Sequence, residues 1–455
     1  MAEEIKHVAN ANISDEWRAA APFGIERARR VRAFHASFPT YQPTALRRLD
    51  GLAGKLGLDA LFVKDESSRF GLNAFKSLGG SYCVGRLIAD LAGVPEGDLT
   101  FGRLRQTDVR AIAKALTLVT ATDGNHGRGI AWTARELGAA AVVYMPKGTS
   151  HERLENILAL GAQAQITDMN YDDTVRFAAQ RAKERGWMLV QDTSWKGYEE
   201  VPVRIMQGYT TLALETVEQL GGQPRMRFNG QLGDWPEGQT RMQSNGQLGG
   251  QPRMRPDEQL DVRASTMLGE QSPAQLSGQL DGQPPTHVFL QAGVGSMSGA
   301  LAAFFADCYR ENRPTIVIVE PNAADCVFRT AAANDGLLHK VGGDLDTIMA
   351  GLACGEPCTI GWDMMRRYTD HFVSVPDEVA KRGMRVLARP EGADEPIVSG
   401  ESGAVGVGLV VELMTNEGLA AFRDSIGLGS DSKVLCISTE GDTDRESYRR
   451  IVGGI

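Results

Sequence analysis

Short apolar runs alternate with segments of helical periodicity along the first half of the chain. The apolar runs predict strands at 115–122, 140–146, 163–168 and 188–193. The intervening segments, in which apolar residues recur every three or four positions, predict helices at 126–137, 151–160 and 172–185. Strands that alternate with helices are typical of a parallel sheet covered by helices.

A second series of the same kind begins at residue 286. It predicts strands at 286–292, 315–320, 372–376 and 433–438, and helices at 297–310, 377–388 and 402–414. A further buried strand is predicted at 59–65. A chain of 455 residues is too long for one core. We therefore expect an α/β protein with two open parallel-sheet domains: a small domain over 98–190, and a large domain formed by 1–97 and 191–455.

Residues 220–285 interrupt this pattern. The nonapeptide at 219–227 recurs at 247–255, and part of it returns at 279–284. The segment is rich in Gly, Gln, Pro and Met and poor in aromatic and β-branched residues, so it buries too little apolar surface to offset the entropy of ordering. Two full copies and a fragment fall short of the three or more repeats that a stacked array needs. We expect a disordered low-complexity insertion within the large domain.

Composition and charge exclude several classes of protein. A net charge of −9, without blocks of Lys or Arg, disfavours a nucleic-acid partner. The sequence has no apolar run long enough to span a membrane, and the first residues lack the apolar core of a signal peptide. The six cysteines are scattered and show no complete zinc spacing, so we expect no metal site and a cytoplasmic location.

Four polar or Gly-rich turns follow predicted strands. They are the segments 73–80, 121–127, 291–297 and 438–442. In open α/β sheets the ligand crevice lies at the carboxyl ends of the strands, so these turns should meet at one site.

The first turn contains a lone lysine, Lys76, between Phe75 and a run of small residues that leads into a helix. Burial at such a junction would lower the pKa of the amine towards neutrality and make it a nucleophile able to form a Schiff base. A solvated lysine in a first helical turn is the alternative. Lys64 is a rival for the same role, but it lies within the preceding strand and lacks the small neighbours.

Four motifs carry a resemblance to a known family: NAFKSLGG at 73–80, ATDGNHGRG at 121–129, QDTSW at 191–195 and STEGDTD at 438–444. Together they resemble the fold type II pyridoxal-phosphate enzymes, which include threonine dehydratase and the tryptophan synthase β-chain. Within that group the diaminopropionate ammonia-lyases are the most similar, because Asp123 stands where the dehydratases carry Ser. The resemblance covers nearly the whole chain except about 220–285. It implies pyridoxal 5'-phosphate as cofactor, an amino-acid substrate and a homodimer.

The resemblance also assigns roles to residues of the four turns. Lys76 would form the Schiff base, Asn125 would bond the phenolic oxygen of the ring, and Thr439 would meet the ring nitrogen. Glu440 leaves a second possibility open, because a carboxylate beside the ring would favour its protonated form. The phosphate would lie on a turn formed by Gly293, Val294, Gly295, Ser296 and Met297.

Two carboxylates distinguish the activities that the resemblance allows. Asp123 could pair with a second ammonium group of the substrate or act as a base, with helix capping as the alternative role. Asp192, at the end of a predicted strand, could bind the same ammonium, or it could be an ordinary strand-end turn residue. The expected reaction is the α,β-elimination of 2,3-diaminopropionate to pyruvate and two ammonia. A threonine or serine dehydratase is the alternative within the family, and a non-catalytic cofactor-binding or interaction protein is the alternative outside it.

Removal of residues 222–284 should leave catalysis largely intact, because the segment contributes no residue to the four turns. Activity of the shortened chain should stay within about tenfold of the full chain, equivalent to ~1.4 kcal/mol of barrier. Limited proteolysis of the full chain should cut first within this segment. A shortened chain that does not fold, or that loses more activity, would contradict the expectation.

Overall fold

The computed structural model of the protein describes residues 4–221, 227–228, 231–232, 284–390 and 392–453. Most of the predicted insertion at 220–285 lies outside these residues. The strands are β1 (Lys6–Ala9), β2 (Ala45–Arg48), β3 (Ala60–Asp65), β4 (Thr117–Ala121), β5 (Ala140–Met145), β6 (Gln163–Ile166), β7 (Met188–Leu189), β8 (Arg227–Phe228), β9 (Gln231–Leu232), β10 (His287–Gln291), β11 (Thr315–Pro321), β12 (His371–Val375) and β13 (Lys433–Ser438).

Helices surround these strands. The α-helices are α1 (Ile25–Ala36), α2 (Asp50–Leu56), α3 (Ser77–Leu91), α4 (Phe101–Leu104), α5 (Thr107–Lys114), α6 (Asn125–Leu137), α7 (His151–Leu158), α8 (Tyr171–Arg185), α9 (Glu200–Gly221), α10 (Ser296–Tyr309), α11 (Cys326–Ala333), α12 (Thr359–Tyr368), α13 (Asp377–Ala388), α14 (Glu401–Thr415), α15 (Ala420–Ser425) and α16 (Arg445–Gly453). Short 3-10 helices lie at Trp17–Phe23, Glu66–Gly71, Glu96–Asp98, Arg310–Asn312, Asn322–Ala324, Ala350–Leu352 and Glu417–Leu419.

Eleven of the strands given above form two sheets that match the two predicted series. The larger sheet has seven strands in the order β1-β12-β11-β10-β13-β3-β2. Its central strands are parallel, and the edge strands β1 and β2 pair antiparallel with β12 and β3. The smaller sheet has four parallel strands in the order β6-β5-β4-β7. β8 and β9 pair antiparallel with each other.

Successive side chains along the central strands point to opposite faces of the larger sheet. Its core is therefore divided into two layers, one on each face. Val288 and Leu290 belong to one apolar cluster, whereas Phe289 between them belongs to the other. The first layer contains α3, α9 and α10, and the second contains α13 and α14. Because both faces are covered, the strands are apolar throughout, which is why the sequence shows them as continuous apolar runs.

Most predicted elements are confirmed, with differences at strands that have little apolar character. β1 and β2 were not predicted; they have four residues each and are largely exposed or half-buried. The predicted strand at 188–193 was too long, because only Met188–Leu189 pairs as a strand. The domain boundaries after residues 97 and 190 stay a prediction.

Among the described residues, no single helix has the length and apolar composition needed to cross a membrane. α14 and the segment Glu417–Ser425 pass that test only as a pair, and the pair is bent by 96°.

A buried network of charged side chains supports β3. Glu215 of α9 accepts hydrogen bonds from Lys64 Nζ at 2.9 Å and from Arg69 Nη2 at 2.7 Å. Arg69 also donates to Glu66, at 2.8 Å, and the side chains of all four residues are buried. Burial raises the pKa of Glu215, but Arg69 and Lys64 outweigh this effect and lower it to about 2.

Glu215→Gln should destabilise the fold, because it leaves Lys64 buried without its carboxylate. Loss of one partner from a buried pair typically costs 3–5 kcal/mol, so the urea midpoint should fall strongly at an unchanged slope. Asp173→Asn is the matched control, since it breaks an exposed pair with Arg176 and should cost less than about 1 kcal/mol. Equal small effects of both substitutions would show that the network contributes little.

Candidate active site

Every predicted site residue lines one cavity of about 630 Å³. The cavity lies where the turns that follow β4, β7, β10 and β13 meet the start of α3. The antiparallel bridge between Ala74 and Glu440 joins two of these segments directly. The convergence expected for turns at the carboxyl ends of the strands is therefore confirmed.

Lys76 lies one residue before α3 and projects its amine towards a carboxylate. Its Nζ forms an ion pair with Asp192. Burial alone lowers the pKa of Lys76, but Asp192, with smaller contributions from Tyr209 and Asp123, outweighs burial and raises it. The expectation of a lowered pKa was therefore wrong, because the local sequence shows the apolar neighbours of Lys76 and not a carboxylate far along the chain.

Lys64, the rival lysine, takes no part in the cavity. Its amine donates to the Thr44 carbonyl at 2.7 Å, to Glu215 at 2.9 Å and to Gln219 Oε1 at 3.0 Å. With three acceptors, all three ammonium protons are used for structure. Lys76 is thus the only one of the two that can reach a ligand in the cavity.

Asp192 is buried at the carboxyl end of the smaller sheet. Its Oδ1 lies 3.4 Å from the Tyr171 hydroxyl, and its Oδ2 lies 3.9 Å from His126 Nδ1. Burial raises the pKa of Asp192, but Lys76 and His126 outweigh it and lower it to about 2. The carboxylate therefore stays ionised and can hold an ammonium group. The alternative of an ordinary turn residue does not explain these contacts.

Asp123 faces the same cavity from the turn after β4. Its Oδ2 accepts a hydrogen bond from Arg153 Nη1 at 3.0 Å. Burial raises the pKa of Asp123, and Arg153 and Lys76 only partly oppose this. Gly124, not Asp123, occupies the N-cap position of α6, and the Asp123 carboxylate contacts the Arg153 and Thr122 side chains instead of a helix amide.

The turn between β10 and α10 has the form of an anion site. Gly295 has φ +89°, a backbone conformation that residues with side chains rarely adopt, so the turn strongly favours glycine. The first amide groups of α10 have no acceptor within the helix, and the N-terminus carries positive potential. The Ser296 hydroxyl already donates to the Asp192 carbonyl. The backbone of this turn, rather than that hydroxyl, is suited to a phosphate.

The other end of the cavity presents an amide and a hydroxyl. The Asn125 side-chain amide donates to Glu440, which also accepts from Ser402 N at 3.2 Å and Thr443 Oγ1 at 3.4 Å. These three donors fix the position of the Glu440 carboxylate. The Thr439 hydroxyl does not contribute to this set of hydrogen bonds.

The amide of Gln291 fixes the direction of the Thr439 hydroxyl. Gln291 Nε2 lies 2.9 Å from the carbonyls of Ser402 and Ile437 and 3.0 Å from Thr439 Oγ1, and its two protons can serve two of these three acceptors. Two carbonyl acceptors fix which end of the amide is the nitrogen, and an amide nitrogen accepts no proton. The Thr439 hydroxyl proton is therefore left to donate into the cavity, which suits an unprotonated ring nitrogen.

The polar groups that remain unpaired here also point to a ligand. Gln291 Oε1, Ser402 Oγ and His126 Nδ1 are buried without a hydrogen-bond partner, and their residues line the cavity. Buried polar atoms in native proteins usually have a partner, so a bound group is expected to complete this site. Lys76 could bond an aldehyde, the glycine turn could bind a phosphate, and the Thr439 hydroxyl could donate to a ring nitrogen. Together these groups fit pyridoxal phosphate.

The sequence did not reveal three further residues of the site. Arg153 and Tyr171 lie on α7 and α8, where charged and aromatic residues near a helix start carry no signal of burial. Gln291 was placed in the turn, but its contacts depend on strand neighbours. The described residues contain no group of three or more metal-ligating side chains, and all six cysteines are free.

Comparison with known proteins identifies the family. A family model described as "Pyridoxal-phosphate dependent enzyme" matches residues 38–228 and 268–439. Diaminopropionate ammonia-lyase from Salmonella typhimurium is 44% identical over 93% of this chain and 91% of its own length. The enzyme of that name from Escherichia coli strain K12 is 42% identical over 94% of this chain and 92% of its own.

A solved structure agrees with the sequence relatives. The crystal structure of holo diaminopropionate ammonia-lyase from Escherichia coli superimposes with a TM-score of 0.80 at 39% identity, covering 99% of this chain and 97% of that one. The fold, the cavity and the relatives lead to one conclusion. The chain belongs to the pyridoxal-phosphate dependent enzymes of fold type II, in the family of the diaminopropionate ammonia-lyases.

Proposed function

We propose that this protein is a pyridoxal-phosphate dependent carbon–nitrogen lyase that converts 2,3-diaminopropionate into pyruvate and two molecules of ammonia. The observation that carries the proposal is the pair of carboxylates, Asp123 and Asp192, which line one cavity together with Lys76. The relatives named above support the same substrate.

The cofactor, when bound, supplies a conjugated ring that accepts the electron pair released at the substrate Cα. Lys76 would hold it covalently and leave again when the substrate amine replaces it. The turn at 293–297 would hold the phosphate, Asn125 the phenolic oxygen, and Thr439 the ring nitrogen. For its side chain to reach that oxygen, Asn125 must share or give up its bond to Glu440.

The leaving group explains why this cavity is acidic. 2,3-Diaminopropionate carries a second ammonium at Cβ, which departs as ammonia. Asp192 already holds the ammonium of Lys76 in the same cavity. Once Lys76 is bonded to the cofactor, the charge of Asp192 becomes available for the ammonium of the substrate. Without a cation nearby, the cost of keeping this carboxylate buried would be large.

Two groups are suited to remove the Cα proton. Lys76, released by the substrate, can act on one enantiomer as a free amine. Asp123 comes from a separate turn, and its carboxylate can act on the other enantiomer, which we propose is the D form. Positioned bases of this kind typically contribute 10²–10⁴ in rate, about 2.7–5.5 kcal/mol of barrier.

A threonine or serine dehydratase is the alternative, and the carboxylates argue against it. A hydroxyl leaving group is neutral and gains nothing from Asp192. The crystal structure of the Escherichia coli relative in complex with D-serine supports an amino acid as the ligand class. The threonine deaminases among the solved structures, such as the tomato enzyme at 16% identity, show a common fold only.

We further propose a homodimer in the cytoplasm. Homodimers are the commonest soluble oligomers, and six free thiols suit a reducing compartment.

Lys76→Ala should abolish the visible absorbance of the bound cofactor and the lyase activity together, because no other described lysine lines the cavity. Absorbance spectra and ammonia release measured on the same samples test this. Borohydride followed by peptide mapping locates the attachment. Full incorporation of a reducible imine in Lys76→Ala would show that another lysine holds the cofactor.

Asp123→Asn should reduce turnover of D-2,3-diaminopropionate at least ~10²-fold and leave the L form much less affected, because an amide keeps the shape but accepts no proton. The measurement is ammonia release from each enantiomer by wild type and variant. Thermal melting is the control. Equal small losses for both enantiomers would remove Asp123 from the reaction.

A further inference from the structure

Arg153 and Asp123 form an ion pair at the boundary between two cavities. A second cavity of about 990 Å³ shares Asp123 and Tyr171 with the active-site cavity. Arg153 lines only the second cavity, and Lys76 lines only the first. Asp123 therefore stands between the two cations, and Arg153 contacts the carboxylate from outside the space that holds the cofactor.

The guanidinium of Arg153 is fixed by contacts with two turns. Nη1 lies 3.0 Å from Asp123 Oδ2 and 3.4 Å from the Asp123 carbonyl, and Nη2 lies 3.4 Å from Thr443 Oγ1. The side chain is only 7% exposed. Gly124, with φ +148°, leaves room for it, since a Cβ there would lie 3.3 Å from Arg153 Cδ. The turn after β4 is thus shaped to receive this arginine.

We propose that Arg153 is a positioning residue that orients the Asp123 carboxylate and keeps it ionised, so that Asp123 can accept the Cα proton of D-2,3-diaminopropionate. This inference rests on the proposed function. Arg153 bonds Oδ2, whereas Oδ1 has only a long 3.4 Å contact with Thr122 Oγ1. Oδ1 is thus the oxygen that would accept the proton when the Cα–H bond breaks, and the conjugated ring of the cofactor would supply the acceptor for the electron pair of that bond.

The charges around Asp123 show why a cation is needed. Burial raises the pKa of Asp123 most, Glu440 and Asp192 raise it further, and the Arg153 and Lys76 cations oppose them. The His126, Tyr171 and Cys354 side chains also interact with this carboxylate. Lys76 must be a neutral amine whenever it serves as a base, and it would then contribute no positive charge near Asp123. Arg153, whose Nη1 lies 3.0 Å from Asp123 Oδ2, continues to favour the ionised form. An opposite charge within about 4–6 Å lowers a carboxylate pKa by roughly 1–3.

Arg153→Met and Arg153→Lys test this inference through the pH dependence of kcat/KM for each enantiomer. Arg153→Met keeps much of the volume and removes the charge, so the acid limb of the D profile should move up by about 1–3 pH units. Arg153→Lys keeps the charge, so the acid limb of its D profile should stay near that of wild type. Its kcat should fall, because an ammonium cannot contact both Asp123 and Thr443 as the guanidinium does. The acid limb of the L profile should not move, since Lys76 acts on that enantiomer.

Arg128→Met is the matched control. It removes a cation from α6 that has no hydrogen bond to Asp123, and it should move neither limb. Cofactor content and melting temperature are measured for every variant. If Arg153→Met does not fold, Arg153→Gln gives the same test with a neutral polar side chain.

The inference is wrong if a cofactor-loaded neutral variant keeps the acid limb of the D profile in place. It is also wrong if both enantiomers shift equally, because a general loss of structure would have that effect. A failure of the proposed function would give a different result. In that case the wild-type protein would release no ammonia from either enantiomer.

Discussion

The ion pair between Lys76 and Asp192 is the interaction on which the active site depends. It joins the start of α3, next to the larger sheet, to the end of the smaller sheet, so the cavity exists only when both sheets are in place. A buried ion is costly unless it is paired. Here each charged group offsets the cost of burying the other. We propose that the same Asp192 carboxylate would hold the ammonium of the substrate once Lys76 is engaged by the cofactor.

Lys64 and Lys76 lie near each other in the sequence but have different environments in the fold. Lys64 is bound by Glu215 and Gln219 within the layer between β3 and α9, and the network that holds it fixes the strand before the Lys76 turn. Lys76 is outside that network and pairs with the Asp192 carboxylate in the cavity. Arg153 adds a second pair, with Asp123. Charged side chains thus surround a cavity in which Asp192 and Asp123 each pair with a cation.

The sequence predicted the central strands and all the turns of the site, because strands buried on both faces are continuous apolar runs and the turns need glycine. Of the sixteen α-helices in the described residues, it placed α6, α7, α8, α10, α13 and α14. It did not predict β1 and β2, which are short and poorly buried. It also predicted the wrong direction for the pKa of Lys76 and missed Arg153. Both errors have one cause: an ion pair between residues far apart in sequence leaves no local pattern, since a charged residue in a helix is usually exposed.

The central claim is that this cavity selects a substrate with a charged leaving group. The most direct measurement is kcat/KM for pyruvate formation from 2,3-diaminopropionate and from serine, with 2-oxobutanoate formation from threonine measured beside them. Asp192 favours an ammonium leaving group and gives nothing to a hydroxyl, so diaminopropionate should exceed both by at least ~10²-fold, about 2.7 kcal/mol. Equal or faster turnover of serine or threonine would contradict the account and identify the protein as a dehydratase.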